Sequence, residues 1–162
     1  MRKKYLLLVV VLLSGLVIVG NYQMVLADSF DREVFTGQME DFFAEKFTEN
    51  EEDTVYNYQE GTENIANQSQ EEDAGNNAFI YQEGNYNTAT QNQEGSNNWT
   101  GIEQQGNNNF AYTDQVGDNN WAGISQNGND NSADIQQSGS GNWAGIYQKG
   151  NNNKATIIQN SY

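Results

Sequence analysis

Between Asn120 and Gln126 the side chains alternate in character. Asn120, Ala122, Ile124 and Gln126 share one face of an extended segment, and Trp121, Gly123 and Ser125 share the other. A period of two predicts a strand. The same pattern recurs at a fixed step of 11 residues: Gln stands at Gln82, Gln93, Gln104, Gln115, Gln126, Gln137, Gln148 and Gln159. Two residues after the first seven come Gly84, Gly95, Gly106, Gly117, Gly128, Gly139 and Gly150, and five after them come Asn87, Asn98, Asn109, Asn120, Asn131, Asn142 and Asn153. Ala or Thr follows at the seventh place, from Ala89 and Thr100 to Ala155. The unit is therefore Gln-x-Gly-x-x-Asn-x-Ala-x-Ile-x. Its second half predicts a strand and its first half a turn, with Gly free to take positive φ. Two weaker copies precede, one from Gln59 through Asn64 and Ala66, the other around Asn76, Ala78 and Ile80, with one inserted residue in the Glu71-Glu72-Asp73 stretch.

A longer period lies inside the first. Trp99, Trp121 and Trp143 are 22 residues apart and Gly101, Gly123 and Gly145 keep the same step, while Phe110, Ser132 and Lys154 take the Trp place in the alternate units. Repeats of this size cannot bury a face alone and stack into solenoids. The expected fold is all-β: an amyloid-like β-solenoid with two strands per 22-residue coil. Stacked coils lie ~4.7 Å apart, so identical positions form columns. The inward columns are Asn, Ala or Thr, Ile and Gln, and Asn and Gln amides can pair along their own column. By parity Trp99, Trp121 and Trp143 form an exposed outward aromatic column. That column reads as packing within the sheet, as a lateral contact between fibres, or as a surface for planar or glycan ligands.

Composition changes the picture of the core rather than of the fold. From Asp28 onward there is no Leu, and the chain has no Cys, Pro or His. A Leu-rich globular core, disulfides, thiolate metal sites and His or Cys catalysis are excluded. With 22 acids against 7 bases the formal charge is −15. Nothing here could neutralise a run of phosphates, which argues against nucleic acid as a partner.

The N-terminus has its own grammar. Met1-Arg2-Lys3-Lys4 is basic, an apolar run follows from Leu6 to Gly20, and Val25-Leu26-Ala27 offers small residues for cleavage. This is a secretory signal over 1–27, short for a span of ~20 residues. No second apolar stretch follows, so no membrane insertion is expected after cleavage. The exported chain then carries 22 acids against Arg32, Lys46, Lys149 and Lys154, a charge of −18. Residues 28–55 form an acidic leader in which Phe30, Val34, Phe35, Met39, Phe42, Phe43 and Phe47 suit one helical face. It reads as a helical recognition segment for export or docking, or as a disordered, solvated tail. The repeat region runs over 56–162 and is regular from Gln82.

These residues resemble curlin repeats, the units of the subunits of bacterial extracellular amyloid fibres. The motif is Gln-x-Gly-x-x-Asn-x-Ala-x-x-x-Gln, as in Gln126-Asn127-Gly128-Asn129-Asp130-Asn131-Ser132-Ala133-Asp134-Ile135-Gln136-Gln137. The resemblance implies a secreted subunit at the surface of a Gram-negative-type bacterium, with roles in biofilm matrix and adhesion. It implies as partners the chain itself, a nucleating or major curlin subunit, periplasmic chaperones and an outer-membrane secretion pore. The Gln and Asn columns would then carry assembly, and Asp114, Asp118, Asp130 and Asp134 would act as gatekeepers against premature aggregation. Gln-x-Gly in every unit and an apolar-acidic leader resemble the minor, nucleating subunit. The regular last unit, running to Tyr162 with no cap, is similar to the major one.

Three other readings compete. Acid–base catalysis needs a buried carboxylate pair in a cleft, which two strands per coil do not provide. No cofactor is expected. Glu51-Glu52-Asp53, Glu71-Glu72-Asp73 and the Gly128–Asn131 turn offer oxygen ligands for weak calcium binding, although the nonapeptide of calcium β-rolls is absent. A monomeric solenoid binding glycans or a surface through its Trp column is the third.

Overall fold

The computed structural model describes residues 7–12, 53–71 and 75–161, and among these every regular element is a strand. In chain order they are β1 (Leu7–Leu12), β2 (Thr54–Glu60), β3 (Ile65–Glu71), β4 (Asn77–Asn85), β5 (Thr88–Glu94), β6 (Trp99–Asn107), β7 (Phe110–Val116), β8 (Trp121–Asn127), β9 (Ser132–Ser138), β10 (Trp143–Lys149) and β11 (Lys154–Asn160). The leader expected over 28–55 falls almost wholly outside the described residues.

The strands alternate between two parallel sheets. One has the order β1-β10-β8-β6-β4-β2, the other β11-β9-β7-β5-β3. Each even strand with the odd one after it makes a coil, so β2 to β11 wind five coils of a β-solenoid. Register is like on like: Trp121 lies against Trp99 and Trp143, Ile124 against Ile102 and Ile146, and Ala133 against Ala111 and Ala155. The step is 22 residues from β4 onward, whereas Thr54 pairs with Asn77 and Ile65 with Thr88, 23 apart. The extra residue sits between β3 and β4, in the acidic stretch where the sequence breaks register. β1, inside the stretch read as an export signal, pairs in parallel with β10, Leu7 against Trp143 through Leu12 against Gln148.

The core is a thin sandwich of Ala and Ile columns. Ile80, Ile102, Ile124, Ile135, Ile146 and Ile157 cluster with Ala89, Ala111, Ala122, Ala133, Ala144 and Ala155, all fully or almost fully buried. Parity explains this directly: in β9 and β11 every second residue, beginning with Ala, is buried. Two departures from the pattern compensate each other. Thr100 replaces an Ala and Thr113 replaces an Ile, and their hydroxyls bond across the core at 3.0 Å. Neither buried hydroxyl is left unsatisfied.

Candidate functional site: the amide ladders, the turns and the outer columns

Two of the four inward places in each regular unit are amides, Asn before the Ala–Ile pair and Gln after it, and each kind bonds in a recurrent way. Gln104 Nε2 donates along the axis to Gln126 Oε1 at 2.8 Å and across the coil to the backbone oxygen of Thr88 at 3.1 Å. Gln82 and Gln126 repeat this with Gln104 and Gln148 as axial acceptors and Ile65 and Phe110 as transverse ones. In the other sheet Gln93, Gln115 and Gln137 donate to Gln115, Gln137 and Gln159, and to the oxygens of Asn77, Trp99 and Trp121. Gln148 and Gln159 donate across the coil to Ser132 and Trp143. One amide thus ties coil to coil and sheet to sheet. The sequence suggests the axial bond, but the transverse bond has no signature in it.

The Asn columns run the other way. Asn109 donates from its backbone N–H and its Nδ2 to Asn87 Oδ1 in the preceding coil, at 3.1 and 3.0 Å. Its Nδ2 also reaches forward to the Gly128 carbonyl at 2.8 Å. Asn87, Asn98, Asn120 and Asn131 reach forward alike to Gly106, Gly117, Gly139 and Gly150. Asn142 and Asn153 bond back to Asn120 and Asn131. So Gln donates toward the C-terminal coil while Asn accepts from it. The solenoid has a hydrogen-bond polarity.

The turns make the close stacking workable. The seven turn glycines Gly84, Gly95, Gly106, Gly117, Gly128, Gly139 and Gly150 have φ between 101° and 137°. At Gly106 a Cβ would run into the carbonyl oxygen of Gly128, the acceptor of Asn109. A second left-handed residue precedes each Asn: Tyr86, Asn97, Asn108, Asn119, Asp130 and Asn152 have φ of 55° to 59°, and Gly141 has 69°. Asn, Asp and Gly tolerate this conformation best, so their enrichment at this place was a usable signal that the eleven-residue reading passes over. Turn backbones also pair coil to coil, as in Asp130 N–H to the Asn107 oxygen at 3.0 Å. Outside them runs another amide column, Asn85 to Asn107 to Asn129 to Asn151, each backbone N–H donating to the next Oδ1.

The four acids read as gatekeepers have different settings. Asp118 and Asp130 lie exposed in turns, and Asp118 accepts the Ser96 N–H at 3.0 Å. Asp130 occupies the left-handed place. Asp114 and Asp134 are half-buried on the outer face of the β3–β11 sheet. Partial burial, then the Asp134 charge, raises the Asp114 pKa above the ordinary carboxylate value. On the other sheet burial raises Glu103 more than the Ser125 hydroxyl lowers it, and Glu83 adds a smaller upward push.

The Trp column faces outward as parity requires, yet it is half-buried rather than fully exposed. Trp99, Trp121 and Trp143 stack with ring centroids 4.8 and 4.5 Å apart and planes within 3°. The Trp121 ring folds over Gly123, where a Cβ would come within 2.5 Å of its edge. Gly101 and Gly145 are buried as well. In the second coil the roles swap: Asn77 holds the Trp place and Phe79 the Gly place. Phe79 stacks on Tyr56 at 4.9 Å and joins Trp99, Trp121 and Trp143 in one cluster. Aromatic volume therefore runs the length of the sheet, partly supplied from a column that holds Gly elsewhere.

Among the described residues no three carboxylates come together as a metal site. Of the acidic runs considered for calcium, residues 51–52 and 72–73 lie outside them.

No curated protein and no solved structure gives a significant match to this chain. The model of the curlin associated repeat matches it three times, over residues 95–128, 106–137 and 128–160. Each match spans units whose Gln, Gly and Asn make the ladders and turns just described. A structural repeat, not a catalytic fold, is what these residues build. The matched units together cover residues 95–160, and the coils they form are similar to curlin associated repeats.

Proposed function

We propose that this chain is a secreted structural subunit that polymerises end to end into extracellular curli-type amyloid fibres, serving biofilm matrix, adhesion and cell aggregation. The polarity of the ladders is the observation that carries this reading. Gln donates forward and Asn accepts from the coil ahead, so a coil added beyond β10–β11 would offer Gln59 Oε1 to Gln148 Nε2. It would also offer the Asn64 N–H to Asn153 Oδ1. Two C-terminal ends would instead meet Gln donor to Gln donor. The first coil is also incompletely covered: Val55, which holds an inward place by parity, is 55% exposed. Unpaired edges of this kind template another strand, and the pairing of Leu7–Leu12 with β10 exemplifies such an addition.

In this reading residues 1–27 leave as the export signal and free the β10 edge. Residues 28–55 serve recognition during export or docking. The chain then reaches the cell surface through an outer-membrane pore with periplasmic chaperones, and starts on a nucleating subunit. Asp114, Asp118, Asp130 and Asp134 slow assembly before that point. Thioflavin T fluorescence of the exported chain, with and without preformed seeds, tests the reading. A lag abolished by seeds is expected. Growth without a lag would assign the chain the nucleating role instead, and a flat trace from a β-rich monomer would overturn polymerisation.

A further inference from the structure

The charges of the solenoid are distributed by end. The first two coils hold Asp53, Glu60, Glu63, Glu71, Glu83 and Glu94 and no base among the described residues, while the last coil holds Lys149 and Lys154 and no acid. They also share a corner. Lys149 ends β10 and Lys154 begins β11, flanking the last turn of that corner; Glu60 ends β2, and Glu63 lies in the first turn of the same corner. In register, one column reads Glu60, Glu83, Gln105, Asn127, Lys149. A column that begins in acid and ends in base is complementary to itself under translation.

We propose that this corner is a charge-coded joint between copies of the chain, with Lys149 of one copy seated beside Glu60 of the next and Lys154 in register with Ile65, two positions from Glu63. This rests on the end-to-end reading above and adds what selects the partner and its register. Four observations favour it. At the coil spacing of ~4.8 Å, a lysine in the Glu60 column lies within ion-pair reach. Within its own chain Lys149 has the uncharged Asn127 as its in-register neighbour, and it is exposed. Glu60 and Glu83 are in-register like charges, each accepting a tyrosine hydroxyl, from Tyr58 at 3.0 Å and Tyr81 at 3.2 Å. Like charges directly opposite in a sheet are unfavourable, and a cation next to Glu60 offsets that repulsion. Finally, a slip of one coil would set Lys149 beside Glu83 but would leave β2 and β3 displaced from the stack, so charge and ladder agree in one register only.

A charge-reversal cycle on the exported chain tests this, with seeded elongation rates measured on matched seeds of each variant. K149E and E60K are both exposed substitutions outside the interior columns. The joint predicts that each single variant elongates about three- to tenfold more slowly than wild type, since each sets like charges together. It predicts that the double variant E60K/K149E regains most of the rate. A control by overall charge predicts something different: with a chain already at −18, K149E would slow growth and E60K would speed it. Opposite signs for the two single variants, or no rescue in the double, would overturn the joint while leaving end-to-end polymerisation intact. Absence of any fibre from the wild-type chain would overturn the polymerisation reading, and the joint with it.

Discussion

The two sheets of the solenoid are alike inside and unlike outside. Inside, β6 and β7 present the same succession of small residue, larger residue and Gln, and the same amide bonds. Outside, the β2–β10 sheet carries a stacked aromatic column over buried glycines. The β3–β11 sheet carries Phe110, Ser132 and Lys154 in the corresponding place, with Asp114 and Asp134 alongside. The 11-residue period is thus the period of the interior, where each unit meets the same packing and hydrogen-bond demands. The 22-residue period belongs to the surface, where only residues of the same sheet become neighbours. Interior changes should therefore have the same consequence in either sheet, and outer changes should not.

The turns are shared by both sheets and should show the largest effect. Gly106→Ala places a side chain at φ +116° and against the Gly128 carbonyl. The strain alone costs about 1–3 kcal/mol, and the steric conflict is with backbone, which cannot rotate away. We expect a loss of about 3 kcal/mol or more in denaturant unfolding, with fibre growth near background.

Next come the ladders. Gln126→Ala removes two donated bonds and leaves Gln104 without its buried axial acceptor. Gln115→Ala does the same to Gln93 in the other sheet. Each should cost about 2–4 kcal/mol, the usual penalty for stranding buried polar groups, and the two values should agree within error. A large difference between them would break the equivalence of the two interiors.

The outer columns should separate the sheets. Trp121→Ala loses two stacked partners, each contributing about 0.5–1.5 kcal/mol. Phe110→Ala, at a side chain 43% exposed, should cost under about 1 kcal/mol. Unfolding midpoints of the two variants, measured side by side, check the asymmetry.

The smallest effect is that of pH. Glu103 on one sheet and Asp114 on the other both have raised pKa values, burial being the first cause in each. A carboxyl whose folded pKa lies above its unfolded one binds its proton more tightly when folded. The contribution of these two groups to stability is therefore fully present below the ordinary carboxylate range and is lost as pH rises through the raised values. Glu103→Gln and Asp114→Asn should each flatten that slope in acid-range unfolding titrations. Glu103, the more deeply buried, should flatten it more.

Much of this fold is written in the chain because a solenoid turns sequence spacing directly into spatial columns. The step of Gln82 to Gln159 gives the coil, alternation gives the inward face, and the broken step near Glu71 gives the 23-residue offset between the first two coils. What stays hidden depends on contacts across the coil rather than along it. The transverse bond from Gln104 to the Thr88 oxygen joins residues 16 apart, a separation that matches neither period. The Thr100–Thr113 pair shows as two unrelated exceptions until the sheets face each other. The Trp column was legible as outward but not as half-buried, because only the fold shows the Trp121 ring lying over Gly123. The opposed directions of the Gln and Asn bonds have no trace in residue identity at all. They are, however, what makes one end of the solenoid differ from the other.

That polarity is best tested by a helical reconstruction of the fibre at a resolution that separates coils. The account predicts one continuous two-sheet solenoid in which β10–β11 of each copy lies ~4.8 Å from β2–β3 of the next. Gln148 should meet Gln59, and Lys149 should meet Glu60. Copies running in opposite directions along the axis, or held only by side-to-side contacts of their aromatic columns, would contradict it.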